Sequence, residues 1–547
     1  MALRTDRIGQ SWLFPPRITD FIPEDHICNL VVAVVGSLNV RSIEKKYRCQ
    51  PGHPAYPRRV LLRLMVQAAI DGMFSSRKID RLAQENVIYM YLAGNAKPDF
   101  RTLCNFRREH KELIEAVFKK TVLIAKAAGV LQLGHLSTDG TKVKANASNQ
   151  YTLSKAELET IRRIIEQGIA VDEEEDHLYG DHRGDELPPE LNTQEKIRRK
   201  IKEVEEIEGK PLKQAAKKIL RQHLSGSQQQ KTQVIGKIKN AEQKLMMSGQ
   251  KVVSLSDPEA RFMVNKKKRI ELSYNPQITV DHGSGIIVAN DVTQDCIDRE
   301  QLQPQMEKTE ENLGGLPKGV KMSWDNGYYS GQNLHYLEEK GVDGYIPDGE
   351  QATAMKGKQV PDDPYAKDQF IYDETQDRFI CHQGRMLTRK GEYIHNGKPV
   401  YAYYGAPCES CLVRAVCAGE NRWKMITSYG FEGERQRMAV KMRSEEGQEE
   451  YRKRSETVEW PFGDIKQNFG LREFLTRGLQ GVRTEHNLVC TGHNLKILWK
   501  KLEGKITMLE KKKDMRVILS SNTSSVLDIC SKCIKKIPRK LNCETAS

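Results

Sequence analysis

The sequence has no hydrophobic stretch long enough to cross a membrane, and its opening residues, Met1–Pro16, lack the apolar core of a secretory signal. It also lacks an ordered cysteine pattern, since its 12 cysteines are scattered along 547 residues and only partly clustered. This distribution argues against a disulfide framework and favours a reducing compartment, where clustered cysteines more often bind metal. We therefore expect a cytoplasmic protein with no membrane partner.

Acidic residues are outnumbered by basic ones. The chain has 87 Lys and Arg residues against 73 Asp and Glu residues, which gives a formal net charge of +14. A basic chain of this length favours an anionic partner, nucleic acid first, although composition alone cannot identify that partner.

Residues 1–132 carry apolar side chains at helical spacing and are expected to form a helical domain. Arg58, Arg59, Arg107 and Arg108 would give short helices cationic faces, which fit DNA binding. A plain helical bundle with a solvated basic face explains the same residues equally well.

The rest of the chain alternates between strand-and-helix patterns and insertions. The predicted segments are a first core strand at 133–149, a charged helical insertion at 150–255, a second part of the core at 256–349, a cysteine-bearing β insertion at 350–435, core helices at 436–502 and a basic, poorly ordered tail at 503–547.

Two aspartates stand near the ends of predicted strands. Asp139 is near the end of the first strand, and Asp325 ends a later strand just before a turn. A central sheet with these strands side by side would bring the two carboxylates together. The simpler alternative is that Asp139-Gly140, a common turn dipeptide, only makes a hairpin turn.

A third carboxylate, Glu459, lies in a cationic run that leads to Lys466. Seven residues are close to two helical turns, so Glu459 and Lys466 would share a face of a continuous helix. Pro461 disturbs this geometry, and we expect a kink there or a helix that restarts at Pro461 with Glu459 just outside it. Taken alone, the stretch reads as a charged amphipathic helix. Three converging carboxylates, however, would bind two divalent cations, with magnesium preferred.

Several short motifs, in this order, resemble the DDE transposases of bacterial insertion sequences over roughly residues 10–500. The motifs are Ser137–Thr141, Tyr274–Gln277, Asp325–Ser330, Val458–Lys466 and Gly492–Leu495. Residues 75–77 and 98–107 look like the helical N-terminal domain of many such proteins.

This resemblance implies an α/β catalytic core of RNase H-like type, a mixed sheet with flanking helices. It also implies metal-dependent cleavage and joining of double-stranded DNA at element ends and target, with two Mg²⁺ or Mn²⁺ ions. The protein would act as a homodimer on DNA in a bacterial nucleoid.

By the same resemblance, the catalytic and metal-binding triad falls on Asp139, Asp325 and Glu459. Glu456 is a less favoured acid, because no lysine follows it at the family spacing.

Tyr451, Arg454 and Lys466 look like the family's tyrosine–arginine–glutamate–lysine signature. One extra residue separates Arg454 from Glu459 compared with the usual pattern, which leaves the role of Arg454 open. The residues expected to contact DNA are Tyr451, Arg454, Lys466, Lys142 and Arg107.

A second metal site is suggested by Cys408 and Cys411, a C-x2-C pair, together with Cys381 and Cys417. Four thiolates can complete a structural zinc site, and His382 could replace Cys381. The alternative is that reduced cysteines simply pack inside a small β insertion.

Two other functions compete with a transposase. One is an RNase H-like nuclease that cuts without joining, which a strand-transfer assay would distinguish. The other is a non-enzymatic, zinc-containing DNA-binding protein, against which the ordered carboxylates argue.

Overall fold

The computed structural model describes residues 17–45, 54–179, 199, 201–203, 205–206, 211–224, 227–359 and 363–502. The tail expected to be poorly ordered, 503–547, lies outside the described residues. Among the helices of the described ranges, none is both long enough and apolar enough to cross a bilayer.

The N-terminal region is helical, as predicted. Its helices are α1 Cys28–Gly36, α2 Arg41–Glu44, α3 Arg58–Ile70, α4 Ser76–Glu85, α5 Val87–Ala93, α6 Phe100–Glu109 and α7 Lys111–Ala127. Short polar side chains begin two of them, since Asn86 accepts the backbone N–H groups of Ile88 and Tyr89, and Asp99 accepts that of Thr102.

A mixed central sheet follows. The strands of the chain up to residue 345 are β1 His135–Gly140, β2 Val143–Lys144, β3 Thr152–Ser154, β4 Val252–Ser254, β5 Arg261–Val264, β6 Ile270–Asp281, β7 Ile287–Thr293, β8 Lys321–Trp324 and β9 Asp343–Tyr345. Across the sheet, β7, β6 and β1 are antiparallel neighbours, and β1, β8 and β9 are parallel neighbours. This mixed order with flanking helices is consistent with the expected RNase H-like core.

Two insertions interrupt this core. The first contains β3, β4 and the helices α8 Lys155–Tyr179, α9 Gln214–His223 and α10 Gln228–Ser248, and it has its own hydrophobic cluster. The second is built on an antiparallel sheet of β10 Ile371–Asp373, β11 Arg378–Ile380, β12 Met386–His395, β13 Lys398–Tyr404 and β14 Met425–Ser428.

The remaining helices lie in the second insertion, pack on the core or connect the insertions to it. They are α11 Leu302–Leu313, α12 Gly331–Glu339, α13 Gly349–Ala354, α14 Arg414–Cys417, α15 Glu432–Arg443, α16 Glu445–Gln467 and α17 Leu479–Lys501.

The N-terminal helices and the central sheet share one hydrophobic cluster, which runs from Cys28 to Leu498. α17 joins them, because it packs against α3, α7 and β7. The predicted boundary at residue 132 therefore marks the change from helices to strands, but the regions on its two sides share one hydrophobic core.

Of the two alternatives expected at Pro461, a kink or a restart of the helix, the restart is wrong. α16 continues from Glu445 to Gln467 with Pro461 in its interior, so the helix does not restart there and Glu459 lies within it. Ser444 begins the helix by accepting the Gly447 backbone N–H at 3.0 Å.

Candidate active site

Asp139 and Asp325 occupy equivalent positions on neighbouring strands. β1 and β8 are parallel, and Thr138 pairs with Trp324, so Asp139 and Asp325 directly follow this pair, Asp139 within β1 and Asp325 just after β8. The prediction that adjacent strands carry the two carboxylates is confirmed. The Asp325 carboxylate also accepts the Gly327 backbone N–H at 2.8 Å, which fixes the turn after β8.

One guanidinium group bridges these two carboxylates. Arg454, on α16, places its Nη2 atom 3.1 Å from Asp139 Oδ2 and 3.8 Å from Asp325 Oδ2. The side chains of Arg454 and Asp139 are both only 15% exposed, whereas Asp325 is 39% exposed. The partly buried pair of negative charges is therefore balanced by a cation from the facing helix.

Burial dominates the electrostatics of Asp139. It raises the pKa of this carboxyl to about 6, while Arg454 acts to lower the pKa and the nearby Asp325 acts to raise it. The charged form of a carboxylate in this position is stabilised by any cation that replaces the hydration lost on burial.

Glu459 lies on α16 with an exposed side chain. Five residues after Arg454, it is rotated by about 140° around the helix, while Lys466 is only about 20° from it. Across the described ranges, no group of three or more His, Cys, Asp or Glu side chains is close enough together to hold a metal ion. The structure thus brings Asp139 and Asp325 together through Arg454, whereas Glu459 is exposed on a different face of the same helix.

Three of the other predicted DNA contacts lie near the end of β1 or near Arg454. Lys466 donates from Nζ to Thr141 Oγ1, just beyond the end of β1. Burial raises the pKa of the Tyr451 hydroxyl, which Arg454 acts to lower. Lys142 is 3.3 Å from Asp298 Oδ1.

Asp298 was not expected near the site. Its Oδ1 atom accepts hydrogen bonds from Asn275 Nδ2 at 2.5 Å and from Gln277 Nε2 at 2.8 Å, as well as from Lys142. It thereby ties β6 to the segment that follows Asp139. A side chain at Gly140 would come within 2.8 Å of the same oxygen, so this close approach requires glycine.

A sequence signal for Asp298 existed. Asn275 and Gln277 are two residues apart on a buried strand, so both amides point to one face and need a polar partner there.

Arg107 does not fit its expected role as a DNA contact. The side chain is buried and donates to the Phe74 carbonyl oxygen at 2.8 Å, so it is not available to a ligand. It lies one helical turn from Leu103 and next to Phe106, which are both buried. This spacing already placed Arg107 on the apolar face of α6.

A polar chain connects α16 to the sheet beneath the aspartates. His135 Nδ1 is 3.1 Å from Glu450, and His135 Nε2 is 2.9 Å from the Ser323 hydroxyl, which is 2.8 Å from that of Ser137. Burial lowers the pKa of His135 to about 4, so the ring is neutral at neutral pH. A neutral ring donates to Glu450 and accepts from Ser323.

The four cysteines of the predicted zinc site line one cavity in the second insertion. None of them forms a disulfide bond.

Two segments of the chain match family models of transposases. Residues 380–499 match the model described as "Transposase DDE domain", and residues 16–109 match the model described as "Transposase domain (DUF772)". The first segment includes Glu459 and its helix but neither Asp139 nor Asp325. No curated protein matches the chain significantly. The two family matches confirm the resemblance to DDE transposases of bacterial insertion sequences and indicate that the protein is a transposase.

Proposed function

We propose that this transposase binds the ends of a mobile DNA element, cleaves phosphodiester bonds there and joins the resulting 3′ ends to target DNA. The observation that carries the proposal is the pairing of Asp139 and Asp325 at the ends of parallel strands, beneath the helix that carries Glu459.

The residues at the site fit a divalent cation. Asp139, Asp325 and Glu459 supply only carboxylate oxygens, the ligand type that Mg²⁺ and Mn²⁺ prefer. The Arg454 guanidinium already lies against two of them, which supports the view that this position accommodates positive charge. When bound, two divalent ions would activate the attacking oxygen and offset negative charge on the leaving oxygen.

The chain's own cations would hold the DNA backbone. Lys466 and Lys142 lie close to the end of β1, and Tyr451 lies near Arg454. Arg454 would have to leave the aspartates when divalent cations bind, and its guanidinium would then be free to pair with a phosphate.

A different set of N-terminal cations replaces Arg107 in this proposal. Arg77, Lys78, Arg101 and Arg108 are exposed on α4 and α6, which pack together. Arg77 and Arg101 also lie 5.0 and 5.8 Å from the Phe100 ring centre. We propose that this surface contacts element-end DNA and that two copies of the chain act together on the two ends.

The test is cleavage and strand transfer on DNA that carries the element ends, with Mg²⁺ or Mn²⁺. Asp139→Asn, Asp325→Asn and Glu459→Gln should each lower cleavage by at least about 100-fold, because a metal triad acts as a unit. DNA binding should remain. Glu456→Gln is the matched control, since Glu456 is another exposed acid of α16 and should leave cleavage unchanged.

The alternatives predict different results. Cleaved ends that are never joined would identify a nuclease. DNA binding without cleavage under any metal condition would favour a non-enzymatic DNA-binding protein. A loss of activity in Glu456→Gln but not in Glu459→Gln would move the third carboxylate to Glu456.

A further inference from the structure

The second insertion has a small hydrophobic core for its size. Five buried residues form its cluster, with Cys381 and Cys417 packed against them: Phe370, Phe379, Leu387, Tyr403 and Ile426. Units with so little apolar core usually need a covalent or metal cross-link.

Three separate stretches of this insertion bring cysteines to one cavity. Cys381 follows β11, Cys408 and Cys411 lie in and just after a short turn of helix, and Cys417 ends α14. Phe370 and Leu387 close the same cavity with apolar surface. The four thiols are therefore neighbours in space, although 36 residues of sequence separate the first from the last.

Local hydrogen bonds hold the cysteines in tight turns. The Cys411 backbone N–H donates to the Cys408 carbonyl at 3.0 Å, and the Cys381 backbone N–H donates to the Arg385 carbonyl at 2.9 Å. Gly405 is required beside them, because a Cβ atom there would come within 2.6 Å of Cys408 Sγ.

We propose that Cys381, Cys408, Cys411 and Cys417 bind one structural Zn²⁺ ion. Four thiolates match the tetrahedral sulfur coordination of zinc, with no open position for catalysis. The thiols border the cavity without three of them being at ligating distance, so binding requires rotation about their χ1 angles. Four thiols would release four protons on binding.

The charges around the cavity fit this ligand set. A zinc ion with four thiolates carries a net charge of −2, and three cationic side chains line the cavity. Lys424 donates to the Cys417 carbonyl at 2.9 Å, Arg385 donates to the Ser410 hydroxyl at 3.1 Å, and Arg414 donates to the Asn421 carbonyl at 3.0 Å. Such hydrogen bonds around a metal site orient the turns that carry the ligands.

The zinc unit would also support the catalytic helix. The insertion docks on α15, where Gln436 exchanges hydrogen bonds with the backbone of Phe370 and Tyr372. α15 leads directly into α16, so a folded insertion helps to fix the helix of Glu459.

The experiment measures zinc in the purified full-length protein. We expect one zinc per chain, and loss of that zinc in the Cys408→Ser, Cys411→Ser double variant together with a lower melting temperature. The matched control is Cys104→Ser, Cys296→Ser, two exposed cysteines outside the insertion, which should keep both zinc and stability. A double variant that retains its zinc and melting temperature would overturn the proposal.

Cobalt substitution provides a second measurement if the double variant does not fold. Wild-type protein loaded with Co²⁺ should show the strong visible bands of tetrahedral thiolate coordination, and Cys381→Ser should weaken its sulfur-to-metal charge-transfer band. Absence of these bands in the wild type would also refute the site. Neither result depends on DNA cleavage, so the zinc site and the transposase function can fail separately.

Discussion

At the scale of single residues, Arg454 occupies the position that divalent cations would need. Its Nη2 atom lies 3.1 Å from Asp139 Oδ2 and 3.8 Å from Asp325 Oδ2, so the proposed cations would have to displace it. We expect Arg454→Met to bind Mn²⁺ more tightly, by about tenfold, if displacement costs about 1.4 kcal/mol. Titration calorimetry with Mn²⁺ and no DNA would measure this.

The control for that prediction is Arg452→Met. Arg452 is an exposed cation of the same helix, and its loss should leave Mn²⁺ affinity unchanged. Equal or weaker Mn²⁺ binding by Arg454→Met would contradict the prediction. DNA cleavage by Arg454→Met is a separate question, because the same side chain is proposed to bind phosphate.

The sequence predicted that adjacent strands carry the two aspartates because the strand and turn signals are local. Each is near the end of a short apolar strand pattern and beside a turn. Arg107 was misassigned because its spacing from Leu103 and Phe106 places it on the buried face of α6, whereas its basic neighbour Arg108 is exposed. Asp298 was missed because its partners Asn275 and Gln277 are more than 20 residues away in sequence.

At the scale of elements, tertiary packing explains why α16 passes through Pro461. Proline inside a helix costs about 3 kcal/mol. The helix buries Val458, Pro461, Phe462 and Ile465, and each buried apolar side chain of this kind contributes roughly 1.5–3 kcal/mol. Burial therefore outweighs the lost hydrogen bond, a balance that the local sequence pattern does not contain.

The contact of His135 in β1 with Glu450 in α16 predicts that the folded protein loses stability at acidic pH. The folded-state pKa of His135 is about 4, below its ordinary value of 6.5, so between these values only the unfolded state binds the proton. Stability should fall as pH drops from 7.5 to 5, and His135 alone should account for about 2 kcal/mol at pH 5. Thermal melts of wild type and His135→Gln across this range would measure it.

His395→Gln is the control for this prediction, since His395 is exposed on β12 and should leave the pH dependence as in the wild type. Burial also lowers the pKa of His486 to about 4, so His135→Gln should reduce the acid sensitivity without abolishing it. An undiminished pH dependence in His135→Gln would show that this contact does not set it. Glu450 has a pKa of about 2 and contributes only at lower pH.

At the scale of the whole molecule, the sequence predicted which segments are helical, which form strands and which are insertions. It did not predict that the N-terminal helices and the central sheet share one hydrophobic core. Helical spacing, strand alternation and insertions are local patterns, whereas the shared core depends on contacts between α17 and α3, which are about 400 residues apart. Because both regions use one core, we expect the N-terminal helices and the central sheet to unfold together.

Gly492 tests this shared core. A Cβ atom at this position of α17 would lie 2.8 Å from the backbone of Ala69 in α3, so Gly492→Ala must push the two helices apart. Overpacking of this kind costs about 1–3 kcal/mol, more than the roughly 1 kcal/mol that alanine gains in a helix. Gly463→Ala is the matched control, because no atom lies within 4 Å of its added Cβ and it should not lower stability. Denaturant unfolding monitored by circular dichroism should show a lower midpoint for Gly492→Ala, in a single transition for both regions. A transition that splits, with the sheet retaining its wild-type midpoint, would mean that the helices and the sheet are stabilised independently.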